Sequence, residues 1–119
     1  SISSYHSMLL LDKNVIGFSI CFREGTSYWS ENYKYFAQGL KSFLYIDRIA
    51  IDQNYRRKGL GKSMYKDIFS NAHHENLRVT AEVNTKPMNQ ISLDFHNHMG
   101  FEQIGERQFD DNDVVYLIK

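Results

Sequence analysis

Apolar positions along this chain switch between a period of two and a helical period, and the switches mark its elements. Met8-Leu9-Leu10-Leu11 and Val15-Ile16-Gly17-Phe18-Ser19-Ile20 lie on either side of Asp12-Lys13-Asn14, which predicts a hairpin. Arg23 to Ser42 reads as a long aromatic connector holding Tyr28, Trp29, Tyr33, Tyr35 and Phe36. Phe43-Leu44-Tyr45-Ile46-Asp47-Arg48-Ile49-Ala50-Ile51 predicts a third strand. Leu60, Met64, Ile68 and Ala72 then recur at helical spacing, with Tyr65 and Phe69 widening the stripe. A helix with one buried face is therefore expected to about Asn71. Leu77–Val83 reads as a strand, Asn89–Met99 as a helix, and Phe101–Phe109 with Val114–Ile118 as a hairpin around Asp110-Asp111-Asn112-Asp113. The strand–helix–strand crossover implies that the fourth strand runs parallel to the third.

The turn between the third strand and its helix carries the densest chemistry: Arg56-Arg57-Lys58-Gly59-Leu60-Gly61-Lys62-Ser63. First-turn N–H groups of a helix lack intrahelical partners, and the macrodipole adds partial positive charge there. Gly59 and Gly61 allow close backbone approach, and Arg56, Arg57, Lys58 and Lys62 surround the turn with charge. A phosphate or pyrophosphate is the expected ligand. The Walker A spacing fails because Arg56 stands where its first glycine belongs, and the dinucleotide fingerprint fails at Met64.

Arg56, Gly59 and Gly61, read as Arg-x-x-Gly-x-Gly, resemble the pyrophosphate signature of the GNAT acetyltransferase superfamily. A second segment, Asn89-Gln90-Ile91-Ser92-Leu93-Asp94-Phe95-His96-Asn97-His98-Met99-Gly100-Phe101, is similar to that family's other landmark. There an Asn begins a helix and Gly-Phe opens the next strand. Locally, Asn89 is a good N-cap and Gly100 a good helix terminator. The match covers roughly residues 43 to 105. The aromatic connector, residues 43–48 and Glu82-Val83-Asn84 further resemble a subgroup of predicted acetyltransferases with unknown acceptors.

The resemblance implies an α/β GNAT fold: a mixed, mostly antiparallel sheet with a splayed parallel central strand pair, flanked by helices. It also implies that residues 1–119 form a single domain lacking the family's N-terminal strand and helices. Acetyl-CoA is the implied acetyl donor, with no metal, and a primary amine on a small molecule or peptide the acceptor. The cofactor would be held by Arg56, Arg57, Lys58, Gly59, Leu60, Gly61, Lys62 and Ser63, by the strand at Ile49, Ala50 and Ile51, and by Asn89, Ser92 and Phe95. A bulge amide near Ile49 would face the thioester carbonyl as oxyanion donor.

His96 stands where many family members carry the tyrosine that protonates the departing thiolate, and an imidazole titrates in a suitable range. The alternative is a histidine that only packs. Asp47 interrupts an apolar strand, sharing a face with Tyr45 and Ile49 if alternation is regular. It is the candidate base, or else a structural ion-pair partner. Asn84, at the end of the fourth strand, is a candidate for orienting acceptor or water. His96 and His98 point to different sides of their helix and are not expected to share a metal. His73 and His74 suit a helix C-terminus. The connector aromatics would wall an acceptor pocket or form a satellite apolar cluster.

Composition narrows the rest. With 14 basic and 14 acidic residues there is no broad positive face, so nucleic acid is not an expected partner. No apolar run approaches the ~20 residues that span a bilayer. The one cysteine, Cys21, suits a reducing cytoplasm and reads as a core thiol. A homodimer is compatible with these features. A non-catalytic acyl-CoA-binding or regulatory domain is the rival to the enzyme.

Overall fold

The structure, a computed structural model, describes residues 4–25, 30–56 and 59–119. The chain divides into two compact units, Ser1–Val79 and Thr80–Lys119. The first unit holds strands β1 (Ser4–Leu11), β2 (Asn14–Arg23) and β3 (Phe43–Ile51) in that spatial order, with helices α1 (Glu31–Gly39) and α2 (Leu60–His74). In the second unit, β4 (Arg78–Lys86), from Thr80 onward, pairs with β6 (Asp113–Ile118), which pairs with β5 (Glu102–Gln108); both pairings are antiparallel. Helix α3 (Gln90–His98) connects β4 to β5.

The β1–β2 hairpin closes through Asp12 (φ 50°) and Lys13 (φ 69°). Two successive positive φ values make the turn whose twist matches its strands. Helix α1 lies inside the segment read as a connector. Ser30 caps it, accepting from the Tyr33 N–H at 3.3 Å, and Tyr33 and Phe36 are buried on one face. Their rings meet Phe43 and Tyr45 of β3 at centroid distances of 5.5–6.4 Å. These two aromatics thus form an apolar cluster, because one-turn spacing puts both against the strand. Tyr28 and Trp29 lie outside the described residues.

The start of β3 is tied to the end of β2. Glu24 accepts from the Arg23 guanidinium at 3.1 and 2.9 Å and from the Phe43 N–H at 3.1 Å. Partial burial acts to raise the Glu24 pKa. The Arg23 and Phe43 hydrogen bonds outweigh it and hold the carboxyl below its usual range. The Tyr33 hydroxyl donates to the Arg23 carbonyl at 2.5 Å, fastening α1 to the same corner.

Regular alternation fails in the middle of β3. Tyr45 pairs with Phe22 and Ile46 with Cys21, but Arg48 pairs with Ile20 and Ile49 with Ser19. Asp47 is therefore the extra residue of a β-bulge. Cross-strand partners share a face, so Tyr45 is on the face of Arg48 and Ala50, and Ile46 on that of Ile49 and Ile51. The expected grouping of Tyr45, Asp47 and Ile49 is corrected by one inserted residue, which shifts every later side chain to the opposite side. Helix α2 covers the Ile51 face: a Cβ at Gly17, the partner of Ile51, would lie 3.5 Å from Met64 Sδ.

Candidate active site

The strand-to-helix turn is built by backbone closure. The Asp52 N–H donates to the Ile16 carbonyl at 2.7 Å, and Asp52 Oδ1 accepts from the Asn54 N–H at 2.9 Å, capping a short 3₁₀ turn at Gln53–Tyr55. Arg56 Nε donates to the Ile51 carbonyl at 3.1 Å. One edge of the guanidinium is thereby fixed to β3, leaving the terminal nitrogens as donors. Arg57 and Lys58 lie outside the described residues. Gly59 follows in the left-handed region (φ 77°, ψ 9°) as the N-cap of α2, with no side-chain capping bond. A side chain there would meet nothing within 4 Å, so the conformation selects glycine, not the space.

With no cap, the N–H groups of Leu60, Gly61 and Lys62 have no intrahelical acceptor; the first ladder bond runs from Ser63 N–H to Gly59 carbonyl at 3.1 Å. The Ser63 hydroxyl also donates to that carbonyl, at 3.2 Å, so it is committed to its own helix. Lys62 is exposed. A hollow of about 420 Å³ adjoins the turn, with Phe18, Ala50, Ile51, Asp52 and Arg56 among its walls.

Along β3, Ile49, Ala50 and Ile51 are half-buried. The bulge lies at Asp47, two residues before the position expected for the exposed amide. Asp47 is half-buried, and its charge reaches the Cys21 thiol. Burial, reinforced by Asp47, pushes that thiol up to about 12, so Cys21 is a core residue and no nucleophile at neutral pH.

The other candidates are linked within the second unit. The Asn84 carbonyl accepts from the Asn89 N–H at 3.2 Å, and Asn89 Oδ1 caps α3 by accepting from the Ser92 N–H at 3.2 Å. His96 Nδ1 lies 2.7 Å from the Ser92 carbonyl and 3.3 Å from Ser92 Oγ. Its ring stands edge-on to Phe95 and Phe101, with centroids at 5.7 and 5.1 Å. Asn112, which sequence reading passed over, donates through Nδ2 to Asn84 Oδ1 at 2.9 Å. Its only sequence signal is its place in the acidic turn.

The His96 geometry bears on its chemistry. A carbonyl can only accept, so the short contact places hydrogen on Nδ1. Burial, the main influence, lowers the pKa against the opposing pull of the Ser92 carbonyl. The contact favours a neutral ring with hydrogen on Nδ1 and Nε2 as acceptor.

Among the described residues, no three His, Cys, Asp or Glu side chains group to hold a metal ion, and no helix is long and apolar enough to cross a membrane.

The acetyltransferase (GNAT) family model matches residues 3–101, and the chain belongs to that family. No curated protein matches it. Among solved structures it is similar to the ribosomal-protein-S18-alanine N-acetyltransferase from Escherichia coli, at 15% identity and TM-score 0.73 over 97% of this chain and 67% of that one. It is also similar to Arabidopsis thaliana Naa50 in complex with the bisubstrate analogue CoA-Ac-MVNAL, at 18% identity and TM-score 0.74, covering 96% and 71%. A GNAT family acetyltransferase from Elizabethkingia anophelis with acetyl-CoA bound gives 14% identity and TM-score 0.72, covering 98% and 75%. At such identities the likeness shows the shared α/β fold. The chain spans about two thirds of the length of the solved proteins it matches, 67%, 60% and 65% for the first three.

Proposed function

We propose that this chain transfers an acetyl group from acetyl-CoA to a primary amine, on a peptide or small molecule, by direct attack within a ternary complex. The observation that carries this reading is the uncapped start of α2. Three successive N–H groups behind a left-handed glycine, beside Arg56, suit a diphosphate and lie within the family-matched segment. Residues 56–62 hold the diphosphate, with Arg57 and Lys58 adding charge, and Ser63 closes the turn behind them through its bonds to the Gly59 carbonyl. Ile49, Ala50 and Ile51 bind the pantetheine arm through backbone groups, and Asn89, Ser92 and Phe95 contribute from α3. The peptide reading draws support from the bisubstrate analogue on the Arabidopsis relative. A free, buried Cys21 suits a cytoplasmic setting.

Proton balance assigns the remaining roles. The acceptor arrives as an ammonium ion and must lose two protons; one ends on the coenzyme A thiol and the other in solvent. Asp47 takes the first proton, directly or through water. His96, entering as the neutral Nδ1–H ring, accepts through Nε2 and can then hand its proton to the thiolate. Asn84 orients the amine or a water through its side-chain amide.

One observation favours the rival reading, a coenzyme A-binding domain without turnover: the Ser92 carbonyl 2.7 Å from Nδ1 favours the tautomer that has no proton on Nε2 to give. Thiol release from acetyl-CoA separates the two. The enzyme reading expects release that depends on an added amine, tested with spermidine, free amino acids and short peptides with free N-termini. Coenzyme A binding with amine-independent background release across the panel would favour the rival.

A further inference from the structure

Helix α3 ends at a contact with a lysine side chain. The Lys119 side chain, one residue past β6, donates through Nζ to the Met99 carbonyl at 2.9 Å. That carbonyl belongs to the C-cap residue, where the helix dipole is negative and the last carbonyls lack backbone donors. The lysine reaches it by crossing over Gly100. A Cβ at Gly100 would lie 2.6 Å from Lys119 Nζ, 3.8 Å from Cε and 3.9 Å from Cδ. Gly100 is thus held to glycine twice, by its φ of 95° and by the chain lying across it.

Phe101, next in the chain, gives the contact its consequence. Its N–H donates to the His96 carbonyl at 3.1 Å, and its ring stands edge-on to the His96 imidazole. On the other side the imidazole is bonded to the Ser92 carbonyl. One turn, Met99-Gly100-Phe101, therefore closes the helix and sets one wall around the histidine.

We propose that Lys119 is a positioning residue: by fastening Met99 and crossing Gly100 it fixes the turn that presses Phe101 against His96, and so holds His96 in a single ring orientation with hydrogen on Nδ1. The lysine touches no reacting atom and acts through the turn. Its consequence for turnover rests on the acetyl-transfer reading above; its consequence for His96 does not.

The test combines a double-mutant cycle with a spectroscopic readout on the full chain. Lys119→Met keeps the aliphatic stem and removes the donor; Gly100→Ala pushes the ammonium off its carbonyl while retaining the lysine. Stability by urea denaturation should be non-additive, since each change breaks the same contact and the second should cost less in the presence of the first. Nitrogen-15 shifts of the His96 ring should show nearly all Nδ1–H tautomer in the wild type and a mixture of tautomers in both single variants. Lys119→Arg, which restores a donor, should recover the wild-type spectrum. With an active wild type and an identified amine, Lys119→Met should lower kcat about tenfold and leave KM for acetyl-CoA within about twofold.

Additive stabilities, or a His96 spectrum unchanged by Lys119→Met, would overturn the proposal. A wild type with no amine-dependent turnover would sink the acetyl-transfer reading, while the cycle and the spectrum would still decide the role of Lys119.

Discussion

Replacing Gly59 by aspartate should separate folding from binding at the α2 turn. In the left-handed region a residue other than glycine loses about 1–2 kcal/mol, and aspartate is among the residues that tolerate it. Against that, its carboxylate can accept from the open N–H groups of the first turn and act as the missing cap, worth a few tenths of a kcal/mol over glycine. With no atom within 4 Å of a Cβ at this position, no steric cost is added. Net stability should stay within about 1 kcal/mol of wild type. Binding should respond very differently, because the new carboxylate occupies the donors a diphosphate needs and repels it. At about 5 Å and an effective dielectric of 20, each like-charge pair costs about 3 kcal/mol before salt screening. A net loss of 2–4 kcal/mol, roughly 30- to 1,000-fold in affinity, is the expected outcome.

Gly59→Ala is the control. It carries the same backbone strain with neither cap nor charge, so it should lose about 1–2 kcal/mol of stability while coenzyme A affinity stays within about tenfold. Urea denaturation and calorimetric titration on the three proteins supply both numbers. Equal coenzyme A affinities for Gly59→Asp and Gly59→Ala would refute the reasoning, because the anion would then sit elsewhere.

Three further outcomes are expected. Asp47→Asn should preserve coenzyme A binding and slow amine-dependent turnover about 10²-fold or more, the scale of general base catalysis; unfolding of the variant with unimpaired turnover per folded molecule would make Asp47 structural. Cys21 should resist thiol reagents at pH 8 until the chain is unfolded. Its folded pKa is raised to about 12 from 9.0, so the stability it contributes is present below pH 9 and declines as pH rises towards 12, by a few kcal/mol. Acid should act through two depressed groups. Stability should fall below the ordinary histidine range as unfolded His96 charges and the folded ring does not, and again below pH 4.5 as the Glu24 contacts are lost. Urea midpoints across pH, compared with His96→Gln and Glu24→Gln, check both windows.

The sequence was most legible where local chemistry and burial agree. Asp12-Lys13 marked a turn because it is a polar break between two apolar runs, β3 emerged with its observed bounds, and Asn89 and Gly100 bracketed α3. Elements that escaped had weak or conflicting local signals. Helix α1 has nine residues and only two buried positions, too few for periodicity to stand out; the Ser30 cap and the Tyr33–Phe36 spacing were its available signs. The end of β4 at Asn84–Lys86 is polar and is held by its pairing with β6, so hydrophobicity stopped the predicted strand at Val83. The α2 stripe ended at Ala72, whereas the helix runs on through the exposed His73 and His74.

For the candidate site, Gly59 and its turn were readable because positive φ and helix-start chemistry have compositional signatures. The bulge at Asp47 was not, since one inserted residue leaves no mark until a partner strand sets the register. The tautomer of His96 depends on the Ser92 carbonyl facing Nδ1, and its surroundings on Phe101. Its position on a helix face indicated packing but not which ring nitrogen carries the proton.

Calorimetric titration with coenzyme A, alongside pantetheine as the otherwise similar ligand lacking the diphosphate, tests the central claim most directly. If the uncapped start of α2 and Arg56 hold the diphosphate, coenzyme A should bind at least about 100-fold more tightly than pantetheine, and the difference should shrink as salt is raised. Equal affinities for the two ligands, or no binding of coenzyme A at millimolar concentration, would contradict the account.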